Sequence, residues 1–145
     1  MKKLMICALL AAGFVMSAQA KDIYAHDASV LPKAAQTTLA NNLKSKVSVV
    51  KIDKDFGRVD EYEVVMTDGV VVTFDRDGNW KEVETNNRSS VPSAFVPKGI
   101  STYVAKNHRG AKIVGLEKER NGYDVELSDG VDIKFNAKGE FVKYD

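Results

Sequence analysis

The chain has 145 residues, 44% of them hydrophobic, with 21 Lys and Arg against 20 Asp and Glu. This balance leaves no basic footprint, which argues against nucleic acid or an anionic membrane as partner. One Cys and two His are too few for a disulfide framework or a zinc centre built from those residues.

Lys2 and Lys3, the apolar run Leu4 to Val15 and Ala18-Gln19-Ala20 read as a secretory signal peptide, residues 1–20, cut after Ala20. The apolar run is too short for a membrane span, and no second run follows, so no membrane insertion is expected after cleavage. Cys7 falls inside that segment, and Lys21 is not the cysteine a lipoprotein needs. Removing Lys2 and Lys3 leaves 21 − 2 = 19 basic residues against 20 acidic ones, a net charge near −1. A periplasmic or secreted protein of about 125 residues follows, long enough to bury roughly two thirds of its unfolded surface.

An N-terminal arm, residues 21–30, precedes a helical stretch from Leu31 to Leu43, where Leu31, Ala35, Leu39 and Leu43 form one stripe and Pro32 suits the first turn. A strand is expected around Val47 to Asp53. Two more, Tyr62 to Met66 and Val70 to Phe74, follow from period-two alternation, and Trp80 opens another. Residues 86–95 form a linker around Asn86-Asn87-Arg88-Ser89-Ser90. The helix-and-strand pattern then returns: Val96 to His108 with Val96, Ile100 and Val104 on a stripe and Gly110 as its stop, a strand around Lys112 to Lys118, and strands through Tyr123–Leu127 and Val131–Phe135.

Thr67–Trp80 and Ser128–Phe141 say nearly the same thing. Asp68-Gly69 and Asp129-Gly130 are 129 − 68 = 61 apart, and Tyr62, Val64, Val70, Phe74 and Gly78 match Tyr123, Val125, Val131, Phe135 and Gly139 at the same offset. Upstream the offset grows, which places extra loop residues of the first copy around Phe56 to Asp60. The reading is an internal duplication, residues 31–85 and 96–145, folded together as one compact domain. Three-residue turns with Gly in the left-handed position set Tyr62 opposite Phe74 and Tyr123 opposite Phe135, and bring Trp80 and Phe141 against those phenylalanines. The fold class expected is α+β: two tandem repeats of one helix plus a four-stranded antiparallel sheet, helices packed on one face and the other face open.

The series apolar-Pro, helix, strand, then Tyr-acid-Val, Asp-Gly, Phe, Gly and an aromatic resembles the PepSY-like family, itself similar to β-lactamase-inhibitor protein. The resemblance spans Leu31 to Tyr144 and is carried by Tyr62, Asp68, Gly69, Phe74, Gly78, Trp80 and their second-copy partners. It implies an exported protein of Bacteroidota-like bacteria with helices on one side of a sheet and an open surface of the kind inhibitor proteins use to grip an enzyme. None of that family's partner-contacting residues is carried over to a position here. His108 departs from the pattern by replacing an apolar helix residue, and Ala137-Lys138-Gly139 lacks the acids of its counterpart.

Asp75-Arg-Asp-Gly-Asn79 offers three oxygen side chains, but Gly78 stands fourth where a calcium loop has Gly sixth, and the twelfth-place acid is missing. His26 and His108 read as surface histidines, and no G-x-S-x-G elbow or comparable nucleophile motif appears. The expectation is therefore not an enzyme, with no cofactor and no metal. The open sheet face is the candidate binding surface: Glu63, Val65, Val71, Thr73, Asp124, Glu126, Asp132 and Lys134. Glu126 opposes Asp132 there, which costs stability, and Asp124 opposes Lys134. A second exported protein with a basic surface is the expected partner, and an inhibitory module is one form this takes. The alternative is a periplasmic small-ligand or metal-binding protein.

Overall fold

Alternation of apolar and polar side chains turns most of the chain into strands. The computed structural model describes residues 22–145, and the segment expected as a signal peptide lies outside the described residues. Among the described residues, nine strands run as β1 Ile23–Ala25, β2 Val47–Asp55, β3 Arg58–Met66, β4 Val71–Asp75, β5 Trp80–Glu84, β6 Ile113–Glu119, β7 Gly122–Leu127, β8 Asp132–Asn136 and β9 Phe141–Tyr144. Two helices of ten residues each, α1 Lys33–Asn42 and α2 Lys98–Asn107, complete the pattern.

Every strand pairs antiparallel with its neighbour in the chain, in the order β1 to β9. This corrects the expected α+β architecture of two tandem repeats with four-stranded sheets: the protein is mostly β, one nine-stranded antiparallel sheet with two short helices. The cause is a pair of unforeseen contacts between strand edges. β5 pairs with β6 through Glu82↔Glu117, Val83↔Leu116 and Glu84↔Gly115, and β1 adds to the outer edge of β2. Open edges leave backbone N–H and C=O groups unpaired, so two half-sheets that can meet edge to edge gain by doing so.

The turn chemistry places register as expected. Tyr62 stands opposite Phe74, Tyr123 opposite Phe135, Trp80 opposite Phe74 and Phe141 opposite Phe135. Residues Phe56 to Asp60 do not form a longer loop. They make the tip and start of an extended β2–β3 hairpin, in which each strand has nine residues.

Both helices cover the same sheet face. Leu31, Ala35, Leu39, Ile100 and Val104 are buried in one cluster with Val50, Val64, Val72, Phe74, Val83, Leu116, Val125, Leu127, Ile133 and Phe135. Burial of each larger side chain among these stabilises by about 1.5–3 kcal/mol, which outweighs the weak propensity of ten-residue helices. Close approach fixes the helices on the hairpins: a Cβ at Gly78, whose φ is 91°, would lie 2.9 Å from Pro32 Cβ, and one at Gly99 would lie 2.7 Å from the Gly139 carbonyl oxygen.

Candidate functional site: the helix-free face of the sheet

Successive side chains of a strand point to opposite faces, so the neighbours of the buried valines and leucines form the face that no helix covers. Register lines them up across the sheet in one row: Lys51, Glu63, Thr73, Glu82, Glu117, Asp124, Lys134 and Lys143. A second row runs Val49, Val65, Val71, Glu84, Gly115, Glu126 and Asp132. The residues singled out from sequence thus share one face in two groups. Glu63, Val65, Val71 and Thr73 lie on β3 and β4; Asp124, Glu126, Asp132 and Lys134 lie on β7 and β8.

Glu82, Glu84 and Glu117 bridge those groups and were missed by sequence reasoning. Period two around the buried Val83 was enough to place Glu82 and Glu84 on this face. Nothing local foretold that Glu117 would stand against Glu82, because that contact exists only through the β5–β6 pairing.

Crowded carboxylates change one another's chemistry. Burial pushes the Glu84 carboxyl up to about 8, and the charges of Glu82, Glu63, Glu126 and Glu117 push the same way. Burial and Asp132 likewise raise Glu126. Thr73, set between Glu63 and Glu82 by register, is only 8% exposed. Lysines hold the margins. Lys134 Nζ donates to Asp124 Oδ1 at 2.6 Å and lies 3.5 Å from Glu119 Oε1 and 3.9 Å from Asp145 Oδ2, while Lys51 Nζ lies 3.6 Å from Asp22 Oδ2. Beside Lys51, a hydrogen bond with Asp22, with burial second, pushes Asp53 up to about 6. The face is therefore acidic at its centre and contains lysine at both ends.

Glu117, Glu119 and Asp124 bring carboxylate oxygens within 4.8 Å of one another, a spacing that suits an oxygen-ligated cation, although the Lys134 ammonium already bridges two of the three. The Asp75–Asn79 stretch is committed elsewhere. Asp75 Oδ1 accepts from the N–H groups of Asp77 and Asn79, each at 2.9 Å. Burial pulls its carboxyl up, and these backbone donors outweigh that and hold it below the ordinary value.

His26 Nδ1 lies 3.1 Å from the Ser48 carbonyl oxygen. His108 caps α2, and its Nε2 lies 3.0 Å from Tyr144 Oη. Among the described residues, no helix is long and apolar enough to cross a membrane.

A family model described as "Putative beta-lactamase-inhibitor-like, PepSY-like" matches residues 60–143. No curated protein matches the chain. Among solved structures, a Bacteroides vulgatus protein described as a "putative periplasmic protein of unknown function" is 35% identical, with a TM-score of 0.76 over 86% of this chain and 98% of that one. A Bacteroides thetaiotaomicron protein described as a "putative calcium-regulated periplasmic protein" is 34% identical, with a TM-score of 0.76 over 86% of this chain and 96% of that one. Another periplasmic protein from B. vulgatus, described as putative, is 34% identical, with a TM-score of 0.74 over 89% and 99% of the two chains.

Proposed function

The chain belongs to the beta-lactamase-inhibitor-like, PepSY-like family, and from that premise we infer that it is an exported, non-enzymatic module that binds a basic protein through the helix-free face of its sheet. The observation that carries the reading is the row Glu63, Thr73, Glu82, Glu117, Asp124, flanked on the next row by Glu84 and Glu126. Placing carboxylates directly opposite one another costs stability, and a cationic surface docked on them reverses that cost. Val65 and Val71 add apolar area beside the acids, as an interface core requires. Export to the periplasm is supported by the descriptions of the related structures and by the N-terminal sequence pattern. The family description supports an inhibitory outcome when the partner is an enzyme.

The test is a crosslinking pull-down from periplasm with wild type and with a Glu126→Lys, Asp132→Lys double variant. The account expects a partner held by wild type, released by rising salt and absent from the double variant. A partner held equally by both proteins contradicts it.

One observation favours a second reading, cation binding on the same face: the Glu117, Glu119 and Asp124 oxygens converge, and a relative is described as calcium-regulated. Calcium titrated into the purified protein distinguishes the two. Saturable binding lost in Asp124→Asn supports the cation, and no heat or thermal shift removes it.

A further inference from the structure

At the β9 end of the molecule, three donor atoms borne on rings meet. Tyr103 comes from α2, His108 from its C-terminal cap and Tyr144 from the edge strand. Tyr144 Oη lies 2.8 Å from Tyr103 Oη and 3.0 Å from His108 Nε2. The rings beneath are fixed by one another. Tyr103 stacks on Phe141 at 4.9 Å and 6° and meets Phe135 edge-on at 5.5 Å, while Tyr144 packs 5.0 Å from Phe141 and 5.6 Å from His108. Phe135 is 3% exposed and Tyr144 47%, so the cluster is rooted in the core and open on its outer side.

Ring packing accounts for the carbon atoms alone, and phenylalanine at 103 and 144 would satisfy it. The polar atoms have a second geometry available. Adjacent ligands of an octahedral ion with bonds of about 2.0–2.1 Å stand about 2.9 Å apart, the separation found on both sides of Tyr144 Oη. Two phenolates and an imidazole are a hard-oxygen and nitrogen set that suits iron rather than a soft metal, and phenolate is a known iron ligand. Phenolic protons are displaced only by a strongly polarising ion, and affinity for it must rise with pH.

We propose that Tyr103, His108 and Tyr144 form a surface site for ferric iron, with two phenolate oxygens and one imidazole nitrogen as ligands and the remaining positions open to water or to the oxygens of a chelate. Binding releases the two phenolic protons to solvent and leaves iron in the ferric state, so no oxidant or reductant is involved. The site is at the edge of the sheet, on elements separate from the central acidic row, and stands or falls independently of protein binding there.

The experiment is a titration of the purified protein with ferric nitrilotriacetate, read by visible absorption and by iron content after gel filtration. The site predicts one retained iron per chain and a phenolate-to-iron charge-transfer band, which carboxylate-bound iron does not give. Tyr144→Phe and Tyr103→Phe, each of which keeps the ring and its packing, each leave roughly half the intensity per iron because one phenolate remains, and the double variant abolishes the band. Iron retained without the band, a band that survives in the double variant, or no retained iron overturns the proposal.

Discussion

Glu82 and Glu117 stand directly opposite each other across the pairing of β5 with β6, the one seam that joins the two halves of the sheet. On the other side of the same seam, Val83 pairs with Leu116, and both are buried, at 0% and 1% exposure. Apolar burial on one face thus holds together a junction that acids on the other face work against. The magnitudes favour burial, since two buried aliphatic side chains contribute about 1.5–3 kcal/mol each and a like-charged cross-strand pair costs roughly 0.2–1 kcal/mol.

The seam makes the sheet one cooperative unit. Leu116→Ala should lower stability by about 2–5 kcal/mol while leaving a single unfolding transition. Trp80, the only tryptophan, lies on β5 with Lys118 Nζ of β6 4.1 Å over its ring, so it reports on the seam. Its fluorescence and far-ultraviolet circular dichroism should therefore shift together in urea. A tryptophan transition unmoved by the substitution would mean that the halves unfold separately.

Glu84 gives the acidic row a pH signature. Its carboxyl, ordinarily 4.5, is pushed up to about 8, first by burial and then by its acidic neighbours. The folded state therefore binds this proton more tightly than the unfolded chain does, and stability falls as pH rises from the ordinary glutamate range through about 8. Glu84→Gln should flatten that limb and raise stability at pH 9 by about 1–2 kcal/mol, discounted from the full linkage value because the side chain keeps contact with water. Denaturant melts of both proteins from pH 5 to pH 9 check this, and parallel profiles would refute it.

Much of the sheet was legible residue by residue. Asp68-Gly69 and Asp129-Gly130 encode turns whose geometry fixes which side chains oppose, so the pairs Tyr62 with Phe74 and Glu126 with Asp132 follow from local rules. The single sheet was not legible. A buried Val83 reads the same whether its strand lies at an edge or in the middle, and only the long-range partner Leu116 distinguishes the two. Glu84 acquired its role through the same contact, since Glu126 and Glu117 reach it only across the seam. Tyr144 was invisible as a partner of His108 because α2 and β9 meet through packing rather than through pairing.

Helix α2 is seated by an absence of side chain. Alanine at position 99 would gain up to about 1 kcal/mol of helix propensity, yet its Cβ would lie 2.7 Å from the Gly139 carbonyl oxygen, a backbone atom in the β8–β9 turn. Displacing that backbone costs about 1–3 kcal/mol, so Gly99→Ala should be destabilising by about 1–2 kcal/mol in urea melts. A stabilised variant would show that the helix stands further off the hairpin than described.

The most direct measurement of the central claim is site-specific photocrosslinking in living cells, with a benzophenone amino acid placed in turn at Val71 on the helix-free face and at Thr37 on the exposed side of α1. The account predicts a discrete protein adduct from position 71, lost when Glu126 and Asp132 are both changed to Lys, and none from position 37. An adduct formed only from position 37, or from neither, would contradict the assignment of the acidic sheet face as the binding surface.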